Sequence, residues 1–499
     1  MDGDSNAGTR VHRAAALEER STDANLDEAQ VVFRNARVAH WNSIAKQADR
    51  WTGPARYYHR RLSQVYEFLV PPGQSIIELG CGRGDLLAAL KPARGVGVDF
   101  SSEAIELGKS RHPSLHFIES NVEDLNLSGR FDVVILSDLV NDLWDVQTVL
   151  EKIRQLTHPR TRIILNSYSR LWELPLGVAR RLNLATPTLH QNWLTVEDVT
   201  NLLILTDFEV IKHWPEVIWP VSTPLLADLS NRFLARLWPF RYLALSNFIV
   251  ARPKPRPRPS TPSVSVVVAA RNESGNVPAI FSRLPKLGMW TELIFVEGHS
   301  KDNTYESIQK AIIEHPEQHC QLLKQSGVGK GNAVREGFEN ANGDVLMILD
   351  ADLTVPPEDL PRFYEALCSG KGEFINGVRL VYPMEKQAMR FANLLGNKFF
   401  GLAFSWLLNQ SIKDSLCGTK VLWRSDYQLI SANRAYFGNF DPFGDFDLLF
   451  GAAKLNLKII DLPVRYRERQ YGSTQIQRWR HGWLLLKMVV FAARRLKFR

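Results

Sequence analysis

"SIIELGCGRGDLLAALKPARGVGVDF", Ser75 to Phe100, holds a complete supersecondary unit in one stretch. The apolar run SIIEL reads as a strand, GCGRG as a turn, DLLAALK as a helix and GVGVDF as a second strand. Such a unit makes its two strands parallel and leaves the turn at the carboxyl end of the first, where ligands of open α/β sheets bind. Gly80, Gly82 and Gly84 let a ligand approach the backbone closely, although a turn built only for tight packing uses glycine too. Asp99 ends the second strand fifteen residues after Gly84, placed to accept hydrogen bonds from ribose hydroxyls. The spacing is GxGxG, not the GxGxxG of dinucleotide binders, and Glu78 precedes it. "FDVVILS" and "RIILNSY" supply further strands with a helical "VQTVLEKIRQL" between them, so the expected fold is a doubly wound parallel sheet.

Working outward, 499 residues exceed one domain, and a second organised region follows a break. The break is "ARPKPRPRPSTPS", with five prolines between 253 and 262, a composition that favours extended linker geometry. Beyond it "SVSVVVAA", "ELIFVE" and "DVLMILD" alternate with helical segments, which predicts a second α/β domain. The expected division is a flexible N-terminus over 1–30, a first domain over 31–250, a linker over 251–262, a second domain over 263–477 and an amphipathic helix over 478–499. In "DVLMILDADL" the strand stops at Asp350 and Asp352, which share a face if the backbone stays extended. Paired carboxylates suit Mg²⁺ or Mn²⁺ on a substrate's phosphates; the same Asp352, or Thr354, also reads as a helix cap before Pro356 and Pro357.

The first region resembles the class I S-adenosylmethionine-dependent methyltransferases, over roughly Trp41 to Phe208, adding "SNVEDLNL" and "VVILSDLVNDL" to the glycine turn. That resemblance implies a Rossmann-like domain. In it Glu78, Gly80, Gly82 and Gly84 shape the methionine end of an S-adenosylmethionine pocket, Asp99 binds the ribose, and Asn121 and Val122 flank the adenine. Asn121 stands where the family often has aspartate. Tyr57, Tyr58 and His59 either close over the cofactor or pack in an amphipathic helix.

The second region, through "VVVAARNESGNV", "FVEGHSKDNT", "GVGKGNAVREGF" and "LDADL" in that order, is similar to the family 2 glycosyltransferases of GT-A fold. The resemblance implies Glu273 and Glu297 beside the base and ribose of a sugar nucleotide, Lys330 on the donor loop, and Asp350 with Asp352 on the metal. Gly298 stands where many members have an acid. "NGVRLVYP", "KDSLCGTK" and "RERQYGSTQI" look similar to the polyprenyl-phosphate sugar synthases of that family. They offer Arg379, Lys420, Arg467, Arg469 and Ser473 as phosphate contacts, each of which also reads as a surface cation or hydroxyl. A phosphate acceptor needs no general base, whereas a hydroxyl acceptor does, and Asp445 or Asp447 in "PFGDFDLLF" is then the candidate, helix capping being the other reading of both.

A net charge of +8 favours anionic partners, and with no zinc-finger, helix-turn-helix or RNA-stacking motif, nucleic acid is not expected among them. Cys81, Cys320, Cys368 and Cys417 stand far apart and read as reduced thiols. No signal-like segment opens the chain, so the expected location is cytoplasmic, peripheral on the membrane's inner face. The tail "RWRHGWLLLKMVVFAARRLKFR" spaces Arg480, Lys487 and Arg494 by seven and leaves Trp483, Leu486 and Val490 for an apolar face, either interfacial or packed on its own domain. "FANLLGNKFFGLAFSWLL" is a core helix or a second interfacial one. The functional expectation is a bifunctional transferase: inverting, metal-dependent glycosyl transfer to a lipid-linked acceptor, with methyl transfer in the same pathway. The alternative is a glycosyltransferase carrying a non-catalytic S-adenosylmethionine-binding or docking module.

Overall fold

A computed structural model describes residues 28–47, 55–182, 185–255, 261–382, 391–434, 446–469, 471–472 and 478–498. The chain divides into two units, Met1–Pro253 and Lys254–Arg499. In the first, strands β1 (Ser75–Leu79), β2 (Arg94–Asp99), β3 (His116–Glu119), β4 (Phe131–Ser137), β5 (Thr157–Tyr168), β6 (Phe208–Glu216) and β7 (Ser246–Pro253) form one sheet in the order β3-β2-β1-β4-β5-β7-β6. The strands alternate apolar side chains to both faces. Ile77, Val134 and Ile163 pack on one side, and Ile76, Val133, Ile135 and Ile164 on the other, all at most 4% exposed. Burial on that scale contributes about 1.5–3 kcal/mol per side chain, which is why the runs read as continuously apolar.

The sheet is mixed, which corrects the expectation of a wholly parallel one. Strand β7 inserts antiparallel between β5 and β6, pairing Tyr168 with Ser246 and Glu216 with Ser246. A strand that returns across the sheet end after β6 pairs antiparallel without a crossover helix. The carboxyl ends of β5 and β6 therefore meet the start of β7 at one point. The proline-rich break also begins later than expected, because Ala251, Arg252 and Pro253 are the last residues of β7. Arg252 is buried there and paired with Glu209.

The second unit repeats the plan in different detail. Strands β8 (Val264–Ala270), β9 (Thr291–Glu297), β10 (His319–Lys324), β11 (Val345–Ile348), β12 (Phe374–Val378), β13 (Lys420–Trp423) and β14 (Ile459–Pro463) run in the order β10-β9-β8-β11-β13-β12-β14. Strand β13 is antiparallel to both β11 and β12, so this sheet is mixed as well. Val267, Leu346 and Leu422 face one core and Val266, Met347 and Val421 the other.

Helix Arg478–Ala492 packs into the first of those cores through Leu485, Met488 and Ala492, beside Phe404 and Leu407 of helix Phe391–Leu408. Of the two readings of the tail, the helix thus meets the one in which it packs on its own domain through this face. Its other face keeps Trp483, Leu486 and Val490 exposed, next to a helix that exposes Leu395, Phe399 and Leu402. No helix among the described residues is long and apolar enough to cross a membrane.

Candidate functional sites

In the first unit the turn after β1 is left-handed three times, with φ of 69° at Gly80, 52° at Gly82 and 74° at Gly84. Two of these glycines are held by packing: a Cβ on Gly84 would lie 2.6 Å from the Phe117 ring, and one on Gly80 would lie 2.8 Å from Leu139. At Gly82 a Cβ would meet nothing within 4 Å, which leaves an open cradle beside the turn. Asp99, at the end of β2, accepts from the amides of Gly82 at 2.8 Å and Ser101 at 2.9 Å. Burial raises its carboxyl above the ordinary value, against those amide bonds.

Glu78 is 3% exposed, and its Oε2 has no hydrogen-bond partner. Burial pushes its carboxyl up to about 8, with the charges of Asp99 and Asp85 adding to the push and a bond from the Leu87 amide opposing it. An orphaned buried carboxylate oxygen beside an open glycine cradle fits the ammonium of an amino-acid end, so the residues present suit S-adenosylmethionine. Asn121 caps a short helical turn by accepting from the Glu123 amide, and Val122 is buried in the core. Pairing Glu78 with an ammonium at pH 7 is expected to release about one proton. Titration calorimetry with S-adenosylhomocysteine should then give enthalpies that track the buffer's ionisation enthalpy, and Glu78→Gln should remove that dependence; buffer-independent enthalpies in the parent would refute the pairing.

A second cluster at the same end of the sheet was not singled out from sequence. Asp138 follows β4 with φ of 53°, unusual for a non-glycine residue and a mark of a constrained site. It accepts from the Tyr58 hydroxyl at 2.9 Å and the Asn166 amide at 2.5 Å. The Tyr58 hydroxyl lies 2.7 Å from Ser246 Oγ, and Tyr66 donates to Asn166 Oδ1 at 2.7 Å. Burial pushes the Asp138 carboxyl up to about 7, against the bonds from Tyr58, Asn166 and Tyr168. Tyr58 therefore packs in its helix and also reaches the site. The sequence signals of this network are Tyr58, already a candidate there, and the polar Asn166 inside an apolar strand.

In the second unit, the carboxylates after β11 each hold a different cation. Lys330 donates to Asp350 Oδ1 at 2.5 Å. Arg469 donates to Asp352 Oδ2 at 2.7 Å and, through its other arm, to Glu273 Oε1 at 2.9 Å. Asn276 secures the second Glu273 oxygen at 2.7 Å. Asp352 also accepts from the Thr354 amide and hydroxyl through Oδ1, a local turn and not the expected helix cap, since the helical turn Pro357–Asp359 follows Pro356 without a side-chain cap. Burial raises the Asp350 carboxyl, yet Lys330 first, then the charges of Arg379 and Lys420, hold it below the ordinary value. Gly418 permits this crowding, since a Cβ there would lie 2.2 Å from Asp350 Oδ2 and 2.3 Å from Lys330 Nζ. Glu297, at the end of β9, accepts from the Ser300 amide at 2.6 Å.

The remaining candidates separate. Arg379 donates to Asp414 through Nε at 2.7 Å and Nη2 at 2.9 Å, and Lys420 is buried with its ammonium on the Cys417 carbonyl. Both act on the site through charge. Arg467 is exposed, and its backbone amide donates to the Thr354 carbonyl at 2.9 Å. Asp447 is buried and paired with Arg434 at 2.9 Å. Asp445 and Ser473 lie outside the described residues. No cluster of three or more metal-ligating side chains occurs among the described residues. Asp350 and Asp352 offer carboxylate oxygens and no nitrogen or sulfur, a donor set that fits a hard divalent cation exchanging with the lysine and arginine.

Comparison with known proteins agrees with this division. Residues 265–427 match the model of glycosyl transferase family 2, and residues 71–205 match that of a methyltransferase domain. A dolichol-phosphate mannosyltransferase of Pyrococcus furiosus is 36% identical over 109 residues, 21% of this chain and 30% of that protein. An undecaprenyl-phosphate 4-deoxy-4-formamido-L-arabinose transferase of Aeromonas hydrophila is 36% identical over 111 residues, 21% of this chain and 34% of that one. The chain spans about a third of the length of these curated relatives. Among solved structures, the glucosyl-3-phosphoglycerate synthase of Mycobacterium tuberculosis with Mn²⁺ and UDP covers 48% of this chain and 81% of its own, at 17% identity and a TM-score of 0.36. The chain carries a methyltransferase domain followed by a family 2 glycosyltransferase domain.

Proposed function

We propose that the chain is a bifunctional transferase whose second domain moves a sugar, with inversion, from a sugar nucleotide to a polyprenyl phosphate, and whose first domain methylates a component of the same pathway. The observation that carries the first half is the alternation of charge after β11: Lys330 on Asp350, and Arg469 bridging Asp352 and Glu273. Such a site suits a diphosphate, whose oxygens Lys330 and Arg469 would pair with, while Asp350 and Asp352 would hold a divalent cation. A bound Mg²⁺ or Mn²⁺ supplies charge stabilisation for the departing nucleoside diphosphate. Asp350 and Asp352 would hold it and Lys330 and Arg469 would neutralise the leaving phosphates, while Asp447 is engaged by Arg434. A phosphate acceptor, already ionised, needs no general base. The exposed Leu395, Phe399 and Leu402 beside Trp483, Leu486 and Val490 give this domain an apolar face for the membrane that holds such an acceptor.

In the first domain S-adenosylmethionine would supply the methyl group and leave as S-adenosylhomocysteine, and Asp138 would take up the proton of the methyl acceptor. Glu78 and Asp99 hold the two ends of the donor. The two activities in one chain raise the local concentration of a shared intermediate. A panel of radiolabelled sugar nucleotides, incubated with polyprenyl phosphate in vesicles, tests the glycosyl half. Metal-dependent label in the lipid extract is expected, and label transferred equally well to a water-soluble hydroxyl acceptor overturns the choice of acceptor.

A further inference from the structure

The carboxyl end of the sheet, where Asp138 lies, continues into two segments with an unusual surface. Beyond Tyr168, helix Glu173–Arg181 exposes Leu174 (81%) and Val178, with Leu171 and Leu182 completing a stripe at helical spacing. Before Ser246, residues 217–245 expose Leu225 (86%), Trp238 (77%) and Tyr242. The two segments are one construction: the Trp172 indole donates to the Leu243 carbonyl at 2.9 Å, and the Ser169 amide to Leu245 at 2.6 Å.

This surface stands on a rigid base. Asn231 accepts from the amides of Ile218 and Trp219, both at 2.8 Å, and donates to the Tyr57 hydroxyl at 3.1 Å. Below it Arg236 pairs with Glu216, both buried. Asn231 and the buried Arg236–Glu216 pair tie these segments to the domain from within, so the outward apolar side chains are a feature of an ordered element. Arg170, Arg180, Arg181, Arg232 and Arg241 accompany them, against only Glu173 and Asp228. Aromatic and leucine side chains among arginines match an anionic phospholipid interface, where the rings seat at headgroup depth and the cations meet lipid phosphates.

We infer that the methyltransferase domain docks on an anionic phospholipid bilayer through helix Glu173–Arg181 and residues 217–245, and that its methyl acceptor is a lipid lying in that bilayer. The helix begins five residues after Tyr168 and the second segment ends one residue before Ser246, in chain continuity with the groups around Asp138. A docked surface therefore sets the transfer site at the bilayer. The acceptor half rests on the methyltransferase reading above; the docking half does not.

The test uses the full chain, phosphatidylcholine vesicles with and without phosphatidylglycerol, and brominated acyl chains as quenchers. Leu174→Glu with Val178→Glu and Trp238→Glu is expected to weaken binding to phosphatidylglycerol vesicles about tenfold or more. Trp483→Glu with Val490→Glu, on the other domain, should leave Trp238 quenched. The mild Trp238→Phe, which needs no refolding of the surface, should remove a definable part of the bromolipid quenching. Unchanged vesicle affinity in the charged variant, or quenching insensitive to Trp238→Phe, overturns the proposal. So does a loss of dimer in that variant without lipid, which would make a second copy the occupant. S-adenosylhomocysteine binding, measured on each protein, reports separately on folding and on the methyltransferase reading.

Discussion

Replacing Asp350 by asparagine is expected to lower glycosyl transfer on the order of 10³-fold, the scale of removing a preorganised group aimed at developing charge. The amide keeps the shape of the side chain and loses its charge. Lys330, whose side chain is 34% exposed, keeps access to water when its partner is neutralised, so the variant should fold. Gly418 leaves no room for a compensating side chain at that point. The reading is sharpened by a metal titration, because a carboxylate that binds Mg²⁺ directly predicts a shifted metal dependence as well as a lower maximum. Lys330→Met should raise the donor's KM and spare more of the metal dependence, since that ammonium pairs with the leaving phosphates. Transfer within about tenfold of the parent in Asp350→Asn, with metal dependence intact, would sink the assignment.

Much of this was legible in the chain itself, and the parts that were not share a cause. The glycine turn, Asp99 and the apolar strands are local: each is set by neighbours within a few residues, and 75–79, 131–137 and 291–297 are strands or lie within strands where the apolar runs put them. The direction of β7 was not legible, because "SNFIVARP" reads as a strand whichever way it pairs, and its partners β5 and β6 lie up to some ninety residues away. Arg469 and Glu273 stand 196 positions apart, and Tyr58 and Ser246 stand 188 apart. The type of each residue suggested a role, yet the pairing that fixes the role is tertiary. Arg379 illustrates the converse. Its chemistry suits phosphate, but Asp414, in the very motif that drew attention to the region, takes the Nε and Nη2 edge of its guanidinium.

Methyl transfer by the first domain is expected to rise with pH through about 7 in kcat/KM, and Asp138→Asn is expected to remove that rise while lowering the rate by about 10²–10⁴. The sign follows from the direction of the shift. Burial favours the neutral acid, so Asp138 is protonated below about 7 and becomes a competent base above it. The carboxylate is aimed by Tyr58 and Asn166, which donate to the same Oδ1. Tyr58→Phe supplies the discriminating control. It deletes one donor to the carboxylate without touching the base, so the rise should persist but move to higher pH, because a bond that stabilises the charged form has gone. A purely structural Asp138 would give a different result: both variants would lose activity through weaker S-adenosylhomocysteine binding, and the pH profile of whatever activity remained would match the parent's.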